Sequence, residues 1–171
     1  MIDPAAIQRM AAYSRWANEK LITAVAPLSD QQFRQDMGHF FGSLHHTMNH
    51  LIVGDRIWLA RFQSEEVPDY TLDQILYEDR DALIHARRVQ DERTIQHAHQ
   101  QTKQTLAETI EYKTVAGDTC RHPLGAIMQG SFNHGTHHRG QMHSMLNQLG
   151  AEPPPMDLIF FMREEPDLAA L

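Results

Sequence analysis

Between Ser131 and His143 the chain reads SFNHGTHHRGQMH, with four histidines, an arginine and two glycines in a stretch whose flanks carry helical periodicity. His134 and His138 are four residues apart, and on a helix such a pair shares one face, so both rings can converge on one point. The core-facing stripe of this segment steps through Leu124, Ile127, Ser131, His134, His138, Met142, Met145 and Leu149. Two imidazoles therefore occupy rungs where the pattern asks for hydrocarbon. A buried polar group without a partner costs roughly 1–3 kcal/mol, and a shared metal ion is the economical explanation.

Two histidines do not complete such a site. Zinc takes four donors, and catalytic zinc sites use three protein ligands and keep one position open. The third ligand is expected from a facing helix, where SLHHTMNH offers His50 near the apolar stripe, with His46 one turn earlier in reserve. Imidazole donors suit zinc, nickel, copper or iron, and affinity order alone does not choose among them. Gln141, seven residues past His134, can orient a ligand's second ring nitrogen or a water, or serve as an ordinary surface amide. Asn133 is a second polar neighbour. Arg139 either binds an anionic substrate group or, as the preferred reading, pairs with an acidic side chain. Gly130, Gly135 and Gly140 each cost helix propensity, which suggests close helix approach or room at the metal. His137 lies about 100° round the helix from His138 and should face away. His85, His97 and His99 sit in a polar segment and read as solvated, while His39, His45, His122 and His143 read as structural or surface residues.

The elements that must position these residues are mostly helical. Ile7, Met10, Ala11, Ala17, Leu21 and Val25 recur at three- and four-residue steps, predicting a first helix from Pro4 to Ala26. Ser29 and Gln32 form a capping-box pattern for a short turn, and Gly38 and Gly42 then break the helical pattern. A second helix is predicted from about Ser43 to Phe62. After a loop with Pro68, where Thr71 can cap another short turn, a polar third helix is predicted from about Arg80 to Ile110, bent or shielded by another subunit. EYKTVAGDTCRH predicts a small hairpin or an extended crossover around Ala116-Gly117-Asp118. Pro123 suits the start of a fourth helix and Gly150 its C-terminal cap. The prolines of EPPPMD stop that direction, and the apolar start of LIFFMREEPDLAAL should pack on the body or on a partner, with its end fraying. The fold class expected is all-α, a four-helix bundle within a single domain over residues 1–171, with the connection order open.

Composition narrows the partners. Fifteen Lys plus Arg against 22 Asp plus Glu give a formal charge of −7, which opposes attraction to phosphate backbones or anionic lipid. No nucleic acid and no membrane partner is expected. The N-terminal segment lacks a basic region followed by an apolar one, and no window approaches the ~18 apolar residues of a membrane span, so the expected location is cytoplasmic. Cys120, the single cysteine, cannot form an internal disulfide and reads as a small apolar residue.

The histidine segments carry a resemblance. FNHGTHHRGQM resembles the C-terminal signature of the DinB family, in which an N-H-x3-H-R-G-Q run supplies two metal ligands. SLHHTMNHLIVGDRIWLARF is similar to the family's second helix, where a histidine a few residues before an Asp and a Trp supplies the third. AAYSRWANEKLITAVAPLSDQQF resembles its opening helix and LGAEPPPMDLIFFMRE its closing segment, so the likeness runs over most of the chain. The resemblance implies His50, His134 and His138 as ligands, a four-helix bundle, a divalent ion such as nickel or zinc with iron or manganese as alternatives, and a homodimer. It further implies small-molecule chemistry with a low-molecular-weight thiol. The leading expectation is thus a metal-dependent enzyme, thiol S-transferase-like or hydrolase-like; a zincin-type protease is disfavoured because no H-E-x-x-H occurs. The second expectation is a stress-related metal or small-ligand binding protein without turnover. A third, a DNA-associated factor, conflicts with the charge.

Overall fold

In the computed structural model, which describes residues 2–114 and 116–171, four long helices carry the fold. They are α1 (Pro4–Val25), α3 (Leu44–Gln63), α4 (Arg80–His99) and α6 (Leu124–Gln148). Shorter elements are α2 (Asp30–Arg34), α5 (Lys103–Ala107), α7 (Leu158–Glu164) and α8 (Pro166–Ala169), with a hairpin of β1 (Thr109–Lys113) and β2 (Thr119–Pro123). Local chemistry sets the boundaries. Asp3, Ser43 and Asp79 cap α1, α3 and α4, and the predicted box of Ser29 and Gln32 opens α2. Gly150, with φ +73°, follows the end of α6 in the left-handed conformation that suits glycine.

α1 packs against α4 and α6, and α3 packs against the same two, so α1 and α3 lie diagonally across the bundle. The core divides into two apolar ends. Leu21, Val25, Leu44, Met48, Leu83, Met142 and Met145 belong to one, and Ile7, Ala11, Ala98, Leu124, Met128 and Phe132 to the other. α1 and α6 therefore run one way and α3 and α4 the other. Because α3 and α4 are parallel neighbours, the segment between them must return along the bundle, and residues 64–79 do so beside α3. Asn49, fully buried on α3, holds that return: its Oδ1 accepts from the Leu76 and Tyr77 backbone N–H groups, each at 2.9 Å, and its Nδ2 donates to the Tyr77 carbonyl at 3.1 Å.

The third helix stops at His99 and does not reach Ile110. Thr102 starts a new turn with a capping box to Thr105, and the β-branched pair Thr109-Ile110 enters β1, where Ile110 pairs with His122. The expected hairpin forms around Gly117, whose φ is +94°; Val115 lies outside the described residues. The closing segment packs on α1 through Phe161, which is buried edge-on against Tyr13 and Trp16. Its end is tied rather than loose, since Arg9 donates to the Ala169 and Leu171 carbonyls at 3.0 Å each. No helix of the described residues is long and apolar enough to cross a membrane.

Replacing Asn49 by alanine strands two backbone N–H groups of the return segment and should cost about 2–4 kcal/mol in urea unfolding. A loss below about 1 kcal/mol would show that other contacts hold the segment.

Candidate metal centre

α3 and α6 face each other, and His50 from the first meets His134 and His138 from the second. One ring nitrogen of each lies within 4.8 Å of the others. His134 Nε2 is 3.2 Å from His50 Nε2 and 3.0 Å from His138 Nε2. Three nitrogens bound at zinc–nitrogen distances in a tetrahedral arrangement would be about 3.3 Å apart, so the spacing already suits one small cation.

Hydrogen bonds fix which nitrogens converge. His50 Nδ1 is 2.7 Å from the Leu72 carbonyl, which can only accept, so the proton sits on Nδ1 and Nε2 keeps its lone pair. His138 Nδ1 donates in the same way to Gln141 Oε1 at 2.8 Å, while Gln141 Nε2 reaches His137 Nε2 at 3.1 Å. His134 Nε2 thus stands between two lone pairs. A proton on it can satisfy only one of them, and its own Nδ1 is buried without a hydrogen-bond partner among the described residues. Protonation of a second ring is opposed by burial, which pushes all three imidazoles below the usual histidine range and takes His138 down to about 4. His134 is lowered further by His50. Neutral imidazoles with aligned lone pairs are what a divalent transition metal binds, so the donor set fits such an ion.

The walls of the site differ. Phe41 stacks on His50 with ring centroids 3.8 Å apart and meets His138 edge-on at 5.5 Å, closing one side. A cavity of about 480 Å³ opens on another, lined by His50, His134, Gly54, Trp58, Arg61 and Tyr112 among others. At Gly54 an added Cβ would stand 3.5 Å from His134 Cε1, so the helix backbone comes close to that ring.

Other expected neighbours take different places. His46 and Asn133 are exposed, and His137 is exposed but reaches the site through Gln141. Arg139 is buried yet forms no ion pair among the described residues. Its guanidinium lies over Tyr13 at 5.3 Å, donates to Thr136 Oγ1 at 3.1 Å and approaches Asn18 Oδ1 at 3.5 Å. The acidic groups of that layer are taken by Arg87, which binds Asp55 at 2.6 Å and Asp91 at 2.9 Å. Gly135 makes room for Arg139, whose Nη1 would be 3.0 Å from an added Cβ, whereas Gly130 and Gly140 face open space. His97 is buried, not solvated: it stacks on Phe62 at 5.9 Å and approaches Gln101 Nε2 at 3.2 Å. Sequence reasoning missed Phe41 and the Leu72 carbonyl. Glycines 38 and 42 around HFF signal a tight turn that could have pointed to Phe41, but a backbone carbonyl leaves no sequence signal.

A model of the DinB family matches residues 1–168. This chain belongs to the DinB family. It is 26% identical over 159 residues to Protein DinB of Bacillus subtilis strain 168, covering 88% of this chain and 91% of that protein. It also shares its fold with a crystal structure of a DinB-like protein from Bacillus cereus ATCC 10987, at a TM-score of 0.66 and 18% identity over 84% of this chain and 91% of the other. The chain thus has a DinB-like helical fold, and its own structure holds a three-histidine cluster that could bind a metal.

The lowered imidazole pKa values set a pH dependence for the metal-free protein. An unfolded histidine takes up its proton near 6.5 whereas the folded ones resist, so the unfolded state binds more protons below that point and stability falls with pH. Thermal unfolding in the presence of a chelator should show stability dropping from pH 6.5 towards about 4. His138→Phe should flatten that slope, and an unchanged slope would place the proton uptake elsewhere.

Proposed function

We propose that the chain is a metal-dependent enzyme in which His50, His134 and His138 hold one divalent transition metal, zinc or nickel first and iron or manganese after them. The observation that carries the reading is the convergence of three Nε2 atoms with no internal hydrogen-bonding scheme that satisfies all of them. A bound divalent ion would supply Lewis acidity, lowering the pKa of a thiol or water in an open coordination position.

The protein's own groups do the rest. Leu72 and Gln141 hold the protons of His50 and His138 on Nδ1, keeping both Nε2 atoms turned inward. Phe41 keeps water from one face, and the cavity beside Trp58 and Tyr112 admits a small molecule from another. This division suits transfer of a low-molecular-weight thiol to an electrophile, with hydrolysis as the neighbouring reaction. A homodimer belongs to the same reading, and light scattering on the eluted protein tests it.

Elemental analysis of tag-free protein should find about one equivalent of transition metal, lost in a His50→Ala, His134→Ala double variant that keeps its helical circular dichroism. His138→Ala should weaken binding far more than His137→Ala, and Gln141→Leu should weaken it roughly 10–100-fold. Wild type that stays metal-free after incubation with zinc, nickel, manganese and iron would reduce the cluster to a polar core feature. Metal without turnover across thiol and electrophile pairs would leave a binding protein.

A further inference from the structure

Among the described residues that line the cavity beside the histidines, Arg61 is the one formally charged side chain. Its guanidinium lies 4.7 Å from the Trp58 ring centroid and 5.3 Å from that of Tyr112, so two aromatic faces hold its orientation. One Nη2 hydrogen bond, 2.6 Å long, goes to the Lys113 carbonyl and anchors it to the hairpin. Its Nε is buried without a partner, and among the described residues no carboxylate lies within ion-pair distance. Glu65, Asp69 and Glu111 line a neighbouring cavity that Arg61 also borders, but Glu111 is taken by Arg121 at 2.8 Å. Arg61 is half-buried, and burial lowers its pKa from the ordinary value.

We infer that Arg61 is a receptor for a carboxylate on the small molecule that enters this cavity. An oriented guanidinium with free donors matches the two oxygens of a carboxylate, and the fork is most effective where water is scarce. One cation balances one negative charge. A phosphate dianion would ask for more donors than the Tyr112 hydroxyl and Thr114 add to this wall. The remaining surfaces, from Ile57, Trp58 and Leu72, suit a short hydrocarbon portion running towards His50 and His134. The location near the chemistry rests on the metal-dependent reading of the three histidines, whereas the carboxylate contact itself needs only Arg61 and its aromatic cradle.

The test compares two thiols of equal length by calorimetry on zinc-loaded protein: 3-mercaptopropionate and 3-mercapto-1-propanol. Zinc content is measured on every sample. Wild type should bind the carboxylate about tenfold or more tightly than the alcohol, as expected for one charge-assisted contact. The ratio should fall near one in Arg61→Met and stay well below wild type in Arg61→Lys, which keeps the charge and loses the fork, with zinc content unchanged in both. A ratio near one in zinc-replete wild type, or one that survives Arg61→Met, overturns the carboxylate receptor while leaving the metal reading intact. Should wild type hold no zinc, the metal reading fails, and the receptor is judged on metal-free protein from the Trp58 indole N–H signal during glutarate titration. A saturable shift in wild type that is lost in Arg61→Met supports it, and no shift overturns it.

Discussion

His134 Nε2 stands 3.2 Å from His50 Nε2 and 3.0 Å from His138 Nε2, two contacts that a single proton cannot satisfy together, and the rest of this bundle is arranged around that constraint. The convergence needs α3 and α6 to face each other in one register, because a shift of one residue on either helix turns its histidines by about 100°. The two apolar core ends set that register. Leu44, Met48 and Leu51 lock against Met142 and Met145 at one end, and Leu124, Met128 and Phe132 pack with α1 at the other. Histidines at positions 134 and 138 fall between the two clusters, where hydrocarbon packing gives way to polar groups.

That middle layer is expensive to bury and correspondingly well connected. Arg87 is almost wholly enclosed; burial works against its charge, yet Asp91 and Asp55 together hold its pKa above the ordinary arginine value. Asp91 accepts from Asn18 at 2.9 Å, which links α1 to α4 within the same layer. Truncating one partner of such a network leaves an unpaired buried charge, so the layer enforces one arrangement of helices even where it adds little net stability. The parallel placement of α3 and α4 has a further consequence. It sends residues 64–79 back past the histidines, and the Leu72 carbonyl that orients His50 arrives on that return.

The same physics decides how much of this is legible in the sequence. The i, i+4 histidines interrupting an apolar stripe are readable because periodicity exposes a polar residue on a core face. Spacing alone does not choose firmly between His50 and His46, which are one turn apart; the apolar stripe and the resemblance both favour His50, which the structure buries while leaving His46 exposed. α4 is hard to read because its buried face includes Arg87, Gln90, Asp91 and His97, residues that hydrophobic patterning assigns to solvent. The same blindness sends His97 to the surface and gives Arg139 an acidic partner. The end of α4 is misplaced because the Thr102 cap is visible only when threonine at the third helical position is accepted in place of glutamate or glutamine.

The buried ion network also explains how the histidines stay neutral next to an acidic residue. Asp55 lies five positions beyond His50 on α3, and its negative charge acts to raise the pKa of both His50 and His134. Left alone, a carboxylate in that place would favour imidazolium and compete with metal for the Nε2 lone pairs. Arg87 at 2.6 Å offsets that charge, and Asp91 in turn keeps Arg87 ionised inside the bundle. The cavity wall beyond carries an arginine and no carboxylate, although the chain as a whole has a formal charge of −7. Acidic groups are thus paired within the polar layer or kept outside the cavity, and the space beside the three imidazoles is left to neutral donors and one cation, an environment that keeps the imidazoles deprotonated.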